Sequence, residues 1–284
     1  MRFRFDGVEF GDTLPLFVTE FDPGPADLQH GDTPQSQRDG VIPGRDFIGG
    51  RNWAFSISSN RQELASALAE DERLASRWHD PKHRLNPLLK VPLSYELGGR
   101  WRRVYGRPDR YAGMKGDVLA VQGRGRIECD FRVMDSRYFD ESETVLVLPI
   151  VPASTGGLMA PLVGPLSTVR SSTPRAGYVK NAGTAATPLK VVFKGPITDP
   201  YVHAAAGWEI ALKGTILPGQ SVTVDSFAGT VLRGSAPVGG MLTRKTRLSS
   251  AVLPVGISDL TFGGVDPTGT AVVELRWRNA YYSI

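Results

Sequence analysis

The feature that most constrains this chain's fold is a change of periodicity partway along it. Beyond residue 140 no stretch repeats its apolar residues at helical spacing. Short runs with apolar residues at alternate positions recur instead, roughly every ten residues, as in sandwich proteins. They fall near Val145–Val151, Val169, Gly177–Lys180, Leu189–Lys194, Tyr201–His203, Trp208–Leu212, Ser221–Asp225, Thr230–Leu232, Asp259–Phe262 and Ala271–Arg278. Turn formers lie between them, among them Lys213-Gly214, Pro218-Gly219, Ala228-Gly229 and Gly263-Gly264. The spacing predicts a β-sandwich of jelly-roll or related type over 141–284. Trp208, Ile210 and Leu212 share one face of their run, so Trp208 reads as core and not as a platform for a sugar.

The first 140 residues read differently. Phe3 and Phe5, then Val8 and Phe10, flank Asp6-Gly7 as a short hairpin. Residues 21–50 are closely punctuated by glycine and proline, an exposed arm that leads into a strand over Asn52–Ser58. One helix is predicted over 60–79. Asn60 and Glu63 resemble a capping box, and Leu64, Ala67, Leu68, Leu74, Ala75 and Trp78 form an apolar stripe that Asp71 interrupts. Pro81 ends it. Leu88–Tyr95 and Arg100–Tyr105 flank Leu97-Gly98-Gly99 as a second hairpin, followed by strands at Val118–Gln122 and Gly125–Met134. The fold class is therefore mainly β: an antiparallel N-terminal domain with one helix, residues 1–140, and a C-terminal sandwich, residues 141–284. Charge changes at the same place. Residues 1–140 carry 21 basic and 21 acidic side chains, whereas the remainder carries 12 and 8.

A net charge of +4 is weak grounds for nucleic-acid binding. The single cysteine, Cys129, rules out an intramolecular disulfide or a cysteine-based zinc site. It alternates with Ile127 and Phe131, which predicts a buried strand residue. The opening residues lack the apolar stretch of a secretory signal, and the apolar run around Val145–Val151 is too short to span a bilayer. No nucleophile elbow, zinc-protease helix or phosphate-binding loop is present, and Gly123-Arg-Gly125 reads as a turn. His79 and His83 have metal-ligand spacing, but Pro81 lies between them and no third ligand is evident. The carboxylate pairs Asp130/Asp135 and Glu141/Glu143 and the histidines His30 and His203 have no evident partners that would make a catalytic set. No enzyme, cofactor or metal is expected. Arg100, Arg102, Arg103, Arg107 and Arg110 interleave with Trp101, Tyr105 and Tyr111, a mixture that suits a subunit interface and, less well, single-stranded nucleic acid.

The order of motifs resembles the distal tail protein (Dit) family of siphophages. In the second half Asn181-Ala-Gly183, Pro188, Gly195, Asp199-Pro200, Gly214 and Pro218 through Asp225 follow that family's succession of strand ends. In the first half Pro43-Gly-Arg45, the strand before the helix, Arg107-Pro-x-Arg-Tyr111 and Asp135-x-x-Tyr138 resemble its ring-forming domain. Trp277-x-Asn279-Ala-Tyr281 is similar to the ends of minor tail proteins of phages infecting actinobacteria. The resemblance implies a virion protein of the tail tip, assembled in the host cytoplasm. The first domain would close a hexameric ring on the tail tube protein, the arm would clasp the neighbouring subunit, and a galectin-like sandwich would project outward. Partners would be the tail tube protein and tail-tip, lysin or other baseplate proteins, and no membrane. DNA would traverse the lumen without specific binding. Arg45, Arg100, Arg102, Arg107, Arg110 and Tyr111 are the candidate interface residues. The alternative is a module that binds host-surface carbohydrate; 156–172 has no place in a minimal sandwich.

Overall fold

The computed structural model describes residues 1–87, 89–152, 172–173, 175–266 and 268–284. They form two compact units, Met1–Glu141 with Tyr282–Ile284, and Ser142–Tyr281. The expected strand at Val169 and nearly all of 156–172 lie outside the described residues.

In the first unit β1 (Arg2–Phe5) and β2 (Val8–Gly11) form a hairpin turned by Asp6 and Gly7, both at positive φ (43° and 82°). That geometry matches the natural strand twist. β3 (Leu16–Asp22) leads into an arm of four two-residue strands, β4 (Leu28–Gln29), β5 (Thr33–Pro34), β6 (Val41–Ile42) and β7 (Phe47–Ile48). β8 (Arg51–Ser59) returns to the sheet, followed by helices α1 (Leu64–Trp78) and α2 (Pro81–Leu85). β9 (Val91–Leu97) and the long β10 (Arg100–Ala112) form the second hairpin, around Gly98 and Gly99. A single-turn helix α3 (Val118–Val121), β11 (Arg126–Val133) and β12 (Tyr138–Asp140) complete the unit. The sheet runs β2-β1-β9-β10-β11-β8-β3, antiparallel throughout, with β12 on β10.

One face of this sheet is aromatic. Phe3, Phe5, Phe10, Trp53, Phe55, Tyr95 and Phe131 are buried, and α1 contributes Ala67, Leu74 and Trp78. Trp78 seats against Phe5 and Phe131, with ring centroids 4.8 and 6.1 Å apart. Burying each large apolar side chain is worth about 1.5–3 kcal/mol, so this layer holds the helix on the sheet.

Three local expectations are corrected. The Asn60–Glu63 capping box is not formed: Glu63 is the N-cap, without a side-chain cap bond, and Asn60 N–H donates instead to the Pro15 carbonyl (2.7 Å). Leu64 and Leu68 of the expected stripe are exposed. Val118–Val121 is a helical turn and not a strand, because the Asp117 carboxylate accepts from Ala120 N–H at 2.9 Å and caps it. Pro81 closes α1 and also opens α2 at its first turn, where its missing N–H costs nothing.

The second unit is a two-sheet sandwich. Its strands are β13 (Thr144–Pro149), β14 (Val151–Pro152), β15 (Ser172–Thr173), β16 (Arg175–Asn181), β17 (Thr187–Lys194), β18 (Ile197–Ala204), β19 (Glu209–Ala211) and β20 (Thr215–Ile216). They continue with β21 (Ser221–Asp225), β22 (Thr230–Arg233), β23 (Ala236–Pro237), β24 (Val252–Leu253), β25 (Gly256–Val265), β26 (Val272–Trp277) and β27 (Ala280–Tyr281). One sheet is ordered β13-β26-β17-β21-β22-β23 and the other β16-β25-β18-β19. Inward residues of both, such as Val191, Phe193, Val222 and Leu275 against Val202, Ile210, Leu260 and Phe262, make one core. Phe193 and Phe262 meet across it at 6.3 Å. Trp208 is buried there, its indole N–H donating to the Val252 carbonyl at 2.7 Å.

Candidate functional site

The most unusual surface of the first unit is the arm. Among the described residues its four strands pair only with one another, Leu28 opposite Ile48, Gln29 opposite Phe47, Thr33 opposite Ile42 and Pro34 opposite Val41. The ribbon is held further by Gly44 N–H donating to Asp32 Oδ1 (2.9 Å) and by His30 beside Asp46 (3.3 Å). Its two chains cross so closely that a Cβ on Gly44 would stand 1.9 Å from the Gly31 carbonyl oxygen. Every residue from Asp27 to Ile48 is exposed, including Leu28, Val41, Ile42, Phe47 and Ile48, the last two at 62% and 52%. A narrow ribbon cannot bury such side chains on itself, and apolar groups so gathered mark a contact surface. The arm carries Asp27, Asp32, Asp39 and Asp46 against Arg38 and Arg45, a net charge of −2.

The six candidate interface residues separate by environment. Arg45 is exposed on the arm; Arg100 and Arg110 are exposed on β10, Arg110 lying 3.8 Å from both Glu128 and Asp130. Arg102 donates to the Ser283 carbonyl (2.9 Å), and Arg107 to those of Asn86 and Pro87 (3.1 and 2.7 Å). The Tyr111 hydroxyl donates to Asp71 Oδ1 at 2.6 Å, and Met114 N–H donates to Asp71 Oδ2 at 3.1 Å. Asp71, the break in the helical stripe, is thus the polar tie between α1 and the end of β10. Burial and the neighbouring Asp71 push the Tyr111 phenol far above its usual range.

The other aromatic residues of the arginine cluster are engaged within the unit too. The Arg4 guanidinium lies over Trp101 (4.8 Å), and Tyr105 packs on Phe139 (5.3 Å). Arg103 forms a two-pronged pair with Glu141, Nη2 to Oε1 at 2.5 Å and Nε to Oε2 at 2.9 Å. These contacts make the cluster a poor stacking platform for bases.

The carboxylates singled out by spacing have basic neighbours. Glu141 holds Arg103 and the Ser94 hydroxyl, Asp135 is bonded twice by Arg137 (2.8 and 2.7 Å), and Glu143 lies 3.9 Å from Arg276. Cys129 is fully buried, and burial raises its thiol pKa well above the usual range. His79 packs edge-on to Tyr111 (5.5 Å), whereas His83 turns inward against Phe5 (5.5 Å) beside Asp6, a partner that sequence spacing did not disclose. In the second unit His203 stands 4.0 Å from Glu209, and a cleft of about 370 Å³ is lined by residues that include Asp199, Tyr201, Glu209, Lys213 and Thr243. No helix among the described residues is long and apolar enough to cross a membrane.

No protein-family model matches the chain, and no curated protein does. Solved structures do. The Dit (gp 19.1) protein of phage SPP1, described as a paradigm of the hub adsorption apparatus in phages infecting Gram-positive hosts, superposes with a TM-score of 0.62 and 13% identity over 98% of both chains. A chain of the phage P2 baseplate in its activated conformation with calcium gives 0.56 and 11% identity over 97% of both chains. The strontium form of that baseplate gives 0.54 and 12%, again over 97% of both. From end to end, therefore, this chain has a Dit-like fold.

Proposed function

We propose that this chain is a structural component of a phage tail: a distal tail protein whose first unit closes a hexameric ring joining the tail tube to the tail tip. The observation that carries the reading is the arm, an outlying ribbon with an exposed apolar surface, on a chain with the fold of a hub protein throughout. In a cyclic assembly one surface of each subunit meets a different surface of the next, so a protruding arm has a receptor surface on its neighbour. The arm's net negative charge suits the exposed arginines Arg100 and Arg110, with Arg45 on the arm itself as a second contact. Arg102, Arg107 and Tyr111 would then act indirectly, by fixing the shape of β10. The sandwich would be the outward, galectin-like unit, and DNA would pass the ring without specific contacts. The likeness to structural hub proteins supports a non-enzymatic role in the virion.

The absolute mass of the purified chain by light scattering, with particle images of the peak, tests this. A closed ring supports it; a chain that stays monomeric at high concentration, alone and with its tail tube protein, overturns it.

A second reading, host carbohydrate binding by the sandwich, is favoured by the Tyr201 cleft, where an aromatic ring stands among Asp199 and Glu209. Retention of the full chain on host cell-wall polysaccharide, lost in Tyr201→Ala, would support it; no retention would remove it.

A further inference from the structure

We propose that Asp6, Asp80 and His83 form a binding site for a divalent transition metal of the zinc class, clipping the first hairpin to the junction of α1 and α2. The inference is independent of the hub reading. It starts from His83, which is 2% exposed, with neither ring nitrogen hydrogen-bonded. Buried polar atoms without partners cost about 1–3 kcal/mol each, and such an atom in a native fold calls for a bound water or ion.

The ring is aimed at acids. His83 Nε2 stands 3.5 Å from Asp6 Oδ2, and one donor atom from each of Asp6, Asp80 and His83 lies within 4.8 Å of the others. Zinc bonds of about 2.0–2.1 Å to nitrogen and oxygen put neighbouring ligands of a tetrahedron about 3.3 Å apart. The His83–Asp6 pair is already near that spacing, and the two edges to Asp80, each within 4.8 Å, would contract on binding. Imidazole with two carboxylates favours zinc and its neighbours over magnesium or calcium, which prefer oxygen throughout. Three protein ligands leave a fourth position for water.

The ligands come from two segments distant in sequence, Asp6 from the β1–β2 hairpin and Asp80 with His83 from the start of α2, and are held from outside the cluster. Asp6 lies in the β1–β2 turn at positive φ, Asp80 caps α2 through Lys82 N–H (2.9 Å), and Phe5 packs on the His83 ring. Their charge is balanced by Lys82, whose Nζ sits 2.8 Å from Asp6 Oδ2 and 3.0 Å from Asp80 Oδ2, with Arg77 3.8 Å from Asp6. The Lys82 ammonium bridges the two carboxylates that would hold the metal. Being half exposed, it can swing into solvent when a dication displaces it.

The test uses the full chain, freed of any affinity tag and stripped with EDTA, titrated calorimetrically with zinc chloride and, as a control, magnesium chloride. Asp80→Asn keeps a good helix cap and removes one charged ligand; Lys82→Met removes the competing ammonium. The natural chain should bind one zinc and unfold at a higher temperature with it. Binding should weaken at least about tenfold in Asp80→Asn and tighten about tenfold in Lys82→Met, each step near 1.4 kcal/mol. Zinc binding unchanged in Asp80→Asn would place the ion elsewhere and overturn the proposal. So would binding that is absent, confined to Lys82→Met, or weaker there than in the natural chain.

Discussion

Phe47 offers the sharpest test of the arm as the ring's clasp. Its side chain is 62% exposed, and its strand partner is Gln29 of the same ribbon. A phenylalanine presents roughly 200 Å² of surface, so a neighbour that covered Phe47 fully would remove about 120 Å² from water. At about 25 cal/mol per Å² that is ~3 kcal/mol per contact, an upper bound that corresponds to about 150-fold in affinity. A ring has one arm contact per subunit, so Phe47→Ala acts at every interface and Phe47→Asp adds the cost of a buried charge. The assay is light scattering across a dilution series. Phe47→Ala should need roughly 100-fold more protein to assemble, and Phe47→Asp should remain monomeric. The free subunit should be unharmed, because a surface change of this kind alters stability by no more than about 0.5 kcal/mol. A Phe47→Asp chain that assembles at the same concentration as the natural one would refute the clasp.

Three further outcomes are expected. Tyr111→Phe removes the bond to Asp71 and should destabilise the first unit by about 1.5–3 kcal/mol in urea denaturation. Asp71→Ala also removes the bond from Met114 N–H, so the double variant should lose more than Tyr111→Phe but less than the sum of the two single losses; additive losses would show that the two residues act separately. Asp266 is buried, which pushes its pKa up, but bonds from the Thr268 hydroxyl and from the Ala271, Thr268 and Thr270 amides outweigh burial and hold it below its usual value. A depressed folded pKa gives stability that is present above the unfolded value and lost as pH falls through the folded one, so the natural chain should lose stability below about pH 4 and Asp266→Asn should flatten that loss. Equal acid sensitivity in the two chains would contradict this assignment. Cys129 should resist aromatic disulfide reagents at pH 8 until urea opens the first unit, whereas rapid reaction of the native chain would show its strand to be open.

What could be read from the sequence divides along a physical line. Local signals were legible where a few adjacent residues decide the backbone. Asp6-Gly7 and Gly98-Gly99 do turn hairpins, and the alternation of Ile127, Cys129, Phe131 and Val133 does bury one face of β11. Val118–Val121 failed on that same local level, because four apolar residues favour a strand only until Asp117 supplies a cap, and the cap's hydrogen bond then outweighs a weak propensity. The long-range partners in the first unit were out of reach for another reason. Asp71 meets Tyr111 across 40 residues, and His83 meets Asp6 across 77, because β1 and β9 are neighbours and because α1 packs beside β10. Alternation states which side of a strand a residue faces and is silent on which strand lies beside it. That is why spacing paired His83 with His79, four residues away, while the fold gives it to Asp6. It is also why an aspartate in an apolar stripe, which sequence can treat only as an interruption, becomes in the structure the acceptor for a tyrosine and a backbone amide. The arm shows the converse. Glycine and proline marked 21–50 as outlying, but the same punctuation would mark any loop. Only the self-pairing of its four short strands, which leaves Phe47 and Ile48 in water, sets it apart as an exposed apolar ribbon.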